Sequence, residues 1–219
     1  MAEIRRFPDA DELGRTLAAE LAAARPRLLG CPGGRSLRTT YRHLPELPET
    51  TLVLMDEYVP VPPASAHYSC RGFGERELPP ARELWVPDPE APHAYDERIA
   101  AAGGIDVFLL ASGASDGHVA MLGPGAPREG RTAVVELAET TRRDNLRTFP
   151  EFASIDAVPR RGVSVGLQTI MDARALRLVI HGEDKRDAIE HLLQLDGYDP
   201  QWPVSIVHEH ENAEILVAP

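Results

Sequence analysis

Three short segments carry side chains able to move protons or hold anions. The first is Asp116-Gly117-His118. A carboxylate two residues ahead of an imidazole can orient and polarise the ring, leaving the other ring nitrogen to handle a proton. A histidine satisfied within the structure would use the same residues. The second is Asp56-Glu57-Tyr58, a loop with two carboxylates directly after the apolar run Thr51–Met55. Carboxylates there are awkward to pack, which fits a catalytic base, with helix capping or solvation as the alternative. The third is Gly30-Cys31-Pro32-Gly33-Gly34-Arg35-Ser36. Glycines let backbone amides converge, a helix start beyond them adds partial positive charge, and Arg35 and the Ser36 hydroxyl add donors. That composition suits a phosphate, and a plain strand-to-helix turn is the other reading. The spacing matches neither the nucleotide-triphosphate loop nor the Gly-x-Gly-x-x-Gly fingerprint.

Other residues invite a role and are read as structural. His208-Glu209-His210-Glu211 puts two histidines on one face of an expected strand, a spacing that can bind a divalent metal. No further ligand cluster completes the set, so no metal is expected. Cys31 reads as a small buried residue rather than a nucleophile. Trp85 and Trp202 lie beside prolines and read as packing groups.

The elements that position these segments alternate between strand-like and helix-like runs, which is the signature of an α/β sheet. Leu13, Leu17 and Leu21 give residues 9–24 a helical stripe. Arg27–Cys31 is a short strand ended by Pro32-Gly33-Gly34. Ser36 is expected to cap a helix running to about Leu44. Thr51–Met55 is a buried strand, and Pro60–Pro63 must be loop. A short helix is expected within His67–Glu77 and another over Tyr95–Ala102. Ile105–Leu110, apolar on both faces apart from Asp106, is the central strand. Thr132–Leu137, Gly162–Gly166, Leu176–Ile180, Ser205–Val207 and Glu214–Val217 read as strands, and Asp184–Leu195 as a helix. In such sheets ligands bind beyond the carboxyl ends of the strands, where the three segments fall.

Composition narrows the function. The chain has 219 residues, enough for one domain, and no internal repeat, so residues 1–219 are read as a single unit. Acidic residues outnumber basic ones 34 to 23, for a net charge of −11. That field repels polyanions and argues against nucleic-acid or membrane-surface partners, while a small anionic ligand needs only a local cluster of donors. Two cysteines exclude a disulfide framework. No segment approaches a membrane span, and the N-terminus lacks a hydrophobic signal region, so a cytoplasmic protein is expected. Of the 23 basic residues one is lysine, Lys185. The excess of arginine reads as the codon bias of a GC-rich genome, so a lysine kept amid it suits a place that needs a compact point charge, with a solvated helix residue as the other reading.

Taken in order, the motifs resemble the glucosamine-6-phosphate deaminase and 6-phosphogluconolactonase superfamily. The resemblance runs from about residue 12 to the end. It rests on Pro32-Gly33-Gly34, Met55-Asp56-Glu57-Tyr58-Val59, His67-Tyr68-Ser69, Asp116-Gly117-His118, Gly130-Arg131-Thr132, Val165-Gly166 with Met171-Asp172-Ala173, and Gly182-Glu183-Asp184-Lys185. It implies a single-domain, Rossmann-like open α/β sheet, mostly parallel, with helices on both faces. The deaminase branch is favoured by Met-Asp-Glu-Tyr-Val, by Ser164–Ala173 and by Thr141–Arg147. Under that likeness Asp56, Asp116 and His118 are catalytic. Gly33, Gly34, Arg35, Ser36, Glu57, Arg147 and Lys185 bind the substrate and its phosphate. Arg142 and Arg143 lie near Arg147, and one of them is expected to assist in binding the anion, the other being a surface residue.

The implied reaction converts an amino sugar phosphate to a ketose phosphate plus ammonia. His118 opens the ring, Asp56 shuttles a proton between C1 and C2, and no metal or organic cofactor takes part. One stretch is similar to the lactonases instead. Deaminases typically read Ile-Ala-Phe-Asn-Glu-Pro after the histidine, whereas this chain reads Val119-Ala120-Met121-Leu122-Gly123-Pro124, with Gly123 in place of the glutamate. The alternatives are therefore a 6-phosphogluconolactonase-type hydrolase, in which His118 activates water, and a sugar-phosphate-binding or specialised-metabolism homologue with altered catalysis. Monomers through hexamers occur in the superfamily, so a homo-oligomer is left open.

Overall fold

The computed structural model describes every residue from Met1 to Pro219. Its first helix shows how local chemistry builds the layers. After strand β1 (Glu3–Arg6), Asp9 caps helix α1 (Ala10–Ala24) by accepting from the Asp11 and Glu12 amides at 2.9 and 2.8 Å. Leu13, Leu17 and Leu21 are all buried on one face, each contributing roughly 2 kcal/mol.

The strands that follow are β2 (Leu28–Cys31), β3 (Leu47–Leu54), β5 (Ala81–Trp85), β6 (Val107–Ala111), β9 (Leu176–His181) and β10 (Ala213–Ala218). With β1 they form one seven-stranded sheet in the order β1-β10-β9-β6-β2-β3-β5, and every neighbouring pair is parallel. Alternate residues of each strand feed opposite faces. Leu29, Leu109, Val179 and Leu216 pack with α1, with Tyr41 of α2 (Arg38–His43) and with Phe73 of α3 (Cys70–Glu77). Phe108, Leu110, Leu178, Ile180 and Ile215 pack on the other side. Their partners are Tyr95 and Ile99 of α4 (Pro92–Ala101), Ile170 of α6 (Leu167–Met171) and Leu192 of α7 (Arg186–Gln194). The expected mostly parallel sheet covered on both faces is therefore the architecture found.

Chain order reverses at the centre. From β2 the chain moves outward through β3 to β5, and from β6 it moves the other way through β9 to β10. Loops leaving β2 and β6 part from each other there and open a crevice at the carboxyl ends.

Several expectations are corrected. Asp56-Glu57-Tyr58 is not a loop but the start of strand β4 (Asp56–Val59), antiparallel to β8 (Arg161–Ser164), which also pairs with β7 (Ala133–Glu136). This second sheet borders the crevice. Its strands are too short to announce their pairing. Ser205–Val207 is part of a 3-10 turn, Pro203–Glu209. Its Val204, Ile206 and Val207 are buried against one face of the sheet rather than paired at its edge. Ser36 does not cap α2, whose first turn lacks any side-chain cap. The two histidines diverge as well. His210 donates from Nε2 to the Ala173 carbonyl at 2.8 Å, while His208 Nε2 faces the Leu192 carbonyl at 3.1 Å. β1, β5, α6 and the helix α5 (Glu139–Thr148) carry no pattern clear enough to be read from sequence.

Candidate active site

Because four neighbouring strands run parallel, their carboxyl ends deliver four segments to one edge. β2 delivers Pro32–Ser36, β3 delivers Met55 and Asp56, β6 delivers Ser112–His118, and β9 delivers Gly182–Lys185. α5 closes the opening from the side of the second sheet. The result is one open pocket. Gly33, Gly34, Arg35, Ser36, Asp56, His118, Arg147 and Lys185 all line it.

At one end sit the cations and amides. Lys185 Nζ donates to Ser36 Oγ at 3.2 Å and to the Ser112 carbonyl, so a single ammonium ties the loops after β2, β6 and β9 together. Burial of this ammonium and the nearby Arg35 charge push Lys185 down to about 8. His181 Nε2 donates to the Ser36 carbonyl at 3.0 Å, which holds the same loop from below. Arg35 pairs with Asp184 at 2.9 Å, and Arg147 stands 3.9 Å from Asp144. Ser36 thus serves as a buried ligand of the lysine rather than as a helix cap.

At the other end sits the proton-handling group. Asp116 lies behind the pocket wall. Its Oδ1 accepts from the His118 amide at 3.1 Å and from Nδ1 at 2.7 Å, and its Oδ2 accepts from the Thr140 and Thr141 hydroxyls. Burial raises the Asp116 carboxyl, but the hydrogen bonds and positive charge of His118 and the Thr140 hydroxyl outweigh it and bring it to about 2. With Nδ1 engaged, the His118 ring keeps Nε2 for a ligand. Two glycines make the turn fit. Gly117 has φ +59°, and a Cβ on Gly113 would lie 2.1 Å from His118 Nδ1. Only a residue without a side chain lets the ring come this close.

Asp56 lies across the pocket on β4. Burial raises its carboxyl to about 6, against the lowering effect of a hydrogen bond from the Cys70 thiol. A carboxylate poised there is a usable general base near neutral pH.

Glu57 does not line the pocket, unlike the other residues expected to bind there. Side chains alternate along β4, so Glu57 points away from Asp56. Its buried carboxylate accepts from the Tyr58, Cys70 and Arg71 amides and from Ser69 Oγ at 2.9 to 3.1 Å. Arg142 is also structural, spanning the Ile155 and Val158 carbonyls from a buried position, and Arg143 pairs with Glu139 at the surface.

Residues the sequence reading passed over complete the pocket. Asp144 accepts from the Ala114 amide at 3.0 Å, the Ser115 amide at 3.3 Å and Ser115 Oγ at 2.9 Å, and its Oδ2 stands 3.9 Å from His118 Nδ1. It clamps the loop after β6 onto α5. Nothing in the sequence signals it, because its role depends on α5 packing over the loop after β6. Asp116, His118 and Asp144 offer metal-type ligand atoms within 4.8 Å of one another. Those atoms are engaged by one another, by threonine hydroxyls and by the loop amides.

Residues 9–216 match the family described as glucosamine-6-phosphate isomerases/6-phosphogluconolactonase. A glucosamine-6-phosphate deaminase of Shouchella clausii is 38% identical over 173 residues, spanning 74% of this chain and 68% of that enzyme. The solved structure of a monomeric glucosamine-6-phosphate deaminase superposes with a TM-score of 0.88 at 27% identity, covering 99% of this chain and 97% of that one. A 6-phosphogluconolactonase structure from Neisseria gonorrhoeae shares the fold at a TM-score of 0.73 and 20% identity, with all of both chains covered.

Proposed function

As this chain belongs to the glucosamine-6-phosphate isomerase and 6-phosphogluconolactonase family, we propose that it is an enzyme of the deaminase kind, converting glucosamine 6-phosphate and water to a ketose 6-phosphate and ammonia. The observation that carries the reading is the division of one pocket. An anion-binding end (Gly33, Gly34, Ser36, Lys185, Arg147) faces a proton-handling end in which His118 and Asp56 meet the same cavity.

The phosphate is received by the loop amides, by the Lys185 ammonium and by Arg147, with Arg35 at the rim. Such a grip on a remote group positions the sugar for reaction. His118, held by Asp116, passes a proton between the ring oxygen and the C1 hydroxyl and so opens the sugar. Asp56 takes the proton from C2 and returns one to C1. The C2 imine that results adds water and releases ammonia. The two proton transfers use His118 and Asp56, both of which line the pocket.

The test is a side-by-side assay. Glucosamine 6-phosphate is supplied and ammonia and ketose are followed. In parallel, freshly made 6-phosphogluconolactone is supplied and acid release is followed. Ammonia release that falls by about 10²-fold or more in Asp56→Asn fits a carbon-acid base. Lactone hydrolysis that survives Asp56→Asn, without ammonia release, fits the second reading. Gly123 favours that second reading, since no carboxylate stands at this position after the histidine. There His118 would activate a water on the lactone carbonyl.

The site is assembled from one chain, and the likeness to a monomeric deaminase supports action without a partner subunit. No helix is long and apolar enough to cross a membrane, and a sugar phosphate substrate fits a cytoplasmic setting.

A further inference from the structure

Cys70 opens α3 and lines the pocket beside Asp56. The mechanism above gives it no part, yet its Sγ lies 3.2 Å from Asp56 Oδ1, the only hydrogen bond that the protein makes to this carboxylate. The placement is built. Glu57, the next residue on β4, grips the start of α3 through the Cys70 and Arg71 amides and Ser69 Oγ. That grip carries the thiol to the opposite side of the strand, where Asp56 faces the pocket.

We propose that Cys70 is a positioning residue for Asp56: its thiol holds one carboxylate oxygen, leaves the other free for the substrate, and sets how strong a base Asp56 is. The inference rests on the reading of Asp56 as the carbon-acid base.

The chemistry of the thiol suits the role. Burial and the two neighbouring carboxylates push the Cys70 thiol well above its ordinary value, so it stays an S–H donor throughout the working range. It is thus the opposite of a reactive cysteine. A thiol is also a weaker donor than a hydroxyl. It steadies the Asp56 carboxylate without drawing it far down, which keeps the base useful against a carbon acid. Other titratable groups also act on or surround Asp56. Glu57 is a neighbouring carboxylate that opposes ionisation, and a cationic His118 across the pocket favours it. The Tyr41, Tyr58 and Tyr95 phenols, from α2, β4 and α4, are pushed far up by burial and stay neutral.

The experiment uses the full chain with Cys70→Ser, Cys70→Ala and Cys70→Val. The Asp56 carboxyl is titrated by carbon-13 NMR, and the pH dependence of kcat/KM for ammonia release is measured alongside. Loss of the donor in Ala and Val raises the Asp56 midpoint by about half to one pH unit, whereas the stronger hydroxyl donor of Ser lowers it. The acid limb of kcat/KM follows in the same order. Ala is smaller than Cys and Val is larger, so agreement of Ala with Val separates loss of the donor from a change in packing. An Asp56 midpoint that does not move in the series overturns the proposal. A midpoint that moves as stated, together with ammonia release that survives Asp56→Asn, confirms the thiol's hold on Asp56 and overturns instead the assignment of Asp56 as the base.

Discussion

Asp116 Oδ1 accepts from both the backbone amide and the ring Nδ1 of His118, at 3.1 and 2.7 Å. One carboxylate oxygen thereby ties the peptide and the imidazole of the same residue: the amide bond holds the carboxylate in place, and the Nδ1 bond holds the ring against it. Asp116→Asn is expected to keep the fold but to present an amide where a charge is needed, lowering kcat by about 10²-fold or more. The pH dependence of stability offers a second check. The folded Asp116 carboxyl lies near 2, below its ordinary 3.8. Its stabilising contribution is therefore present above about pH 4 and fades as pH falls toward 2. Chemical denaturation of wild type and Asp116→Asn across that window should show the difference narrowing with acid.

Asp56 has the opposite sign. Its folded carboxyl is raised from 3.8 to about 6, mainly by burial. Keeping it ionised costs stability on the order of 3 kcal/mol at neutral pH. That cost is fully present above pH 6 and disappears as pH falls toward 4. Asp56→Asn should therefore raise Tm at pH 7.5 and gain little at pH 4, while losing ammonia release. Calorimetry at the two pH values checks it. No Tm gain at pH 7.5 would show that the carboxylate is not under the burial strain described.

Burial pushes the Lys185 ammonium down to about 8, so in the proposed reaction it is expected to meet the phosphate as a cation only below about that pH. In free enzyme kcat/KM should therefore decline as pH rises through 8, through KM rather than kcat. Lys185→Met should raise KM by roughly 10-fold or more and flatten that limb. Lys185→Arg should not restore it, since a planar fork does not fit a space that three loops close around a point charge.

Glu57→Gln separates structure from binding. The carboxylate satisfies four donors in the interior, and an amide can serve only some of them. A loss on the order of 2 kcal/mol in unfolding free energy is expected, with KM for the sugar phosphate close to wild type. A selective rise in KM at unchanged stability would return Glu57 to the binding site.

Much of this molecule was legible before any coordinates. Alternating runs named the α/β class, and the apolar stretches Arg27–Cys31, Ile105–Leu110 and Leu176–Ile180 fall within a residue or two of the strands Leu28–Cys31, Val107–Ala111 and Leu176–His181. Strands buried on both faces must be apolar throughout, and that is a local property. Gly33-Gly34, Asp56, Asp116-Gly117-His118 and Lys185 were chosen because their types suit phosphate binding and proton transfer, and the fold brings all of them to one crevice or directly behind it. Parallel strands end at one edge, so residues after strands meet there.

What tertiary structure alone decided is which way each polar group points. Asp56 and Glu57 are chemically alike and adjacent. The pairing of β4 with β8 turned one into the pocket and the other into the interior, because successive side chains on a strand face opposite ways. Asp144 lay on an unremarkable charged helix until α5 packed over the loop after β6. Cys70 had no meaning until α3 set its thiol against Asp56. Residue type carries chemical capability along the chain. Capability becomes a site only when contacts between distant segments settle direction and burial, and those energies are not written in any one segment.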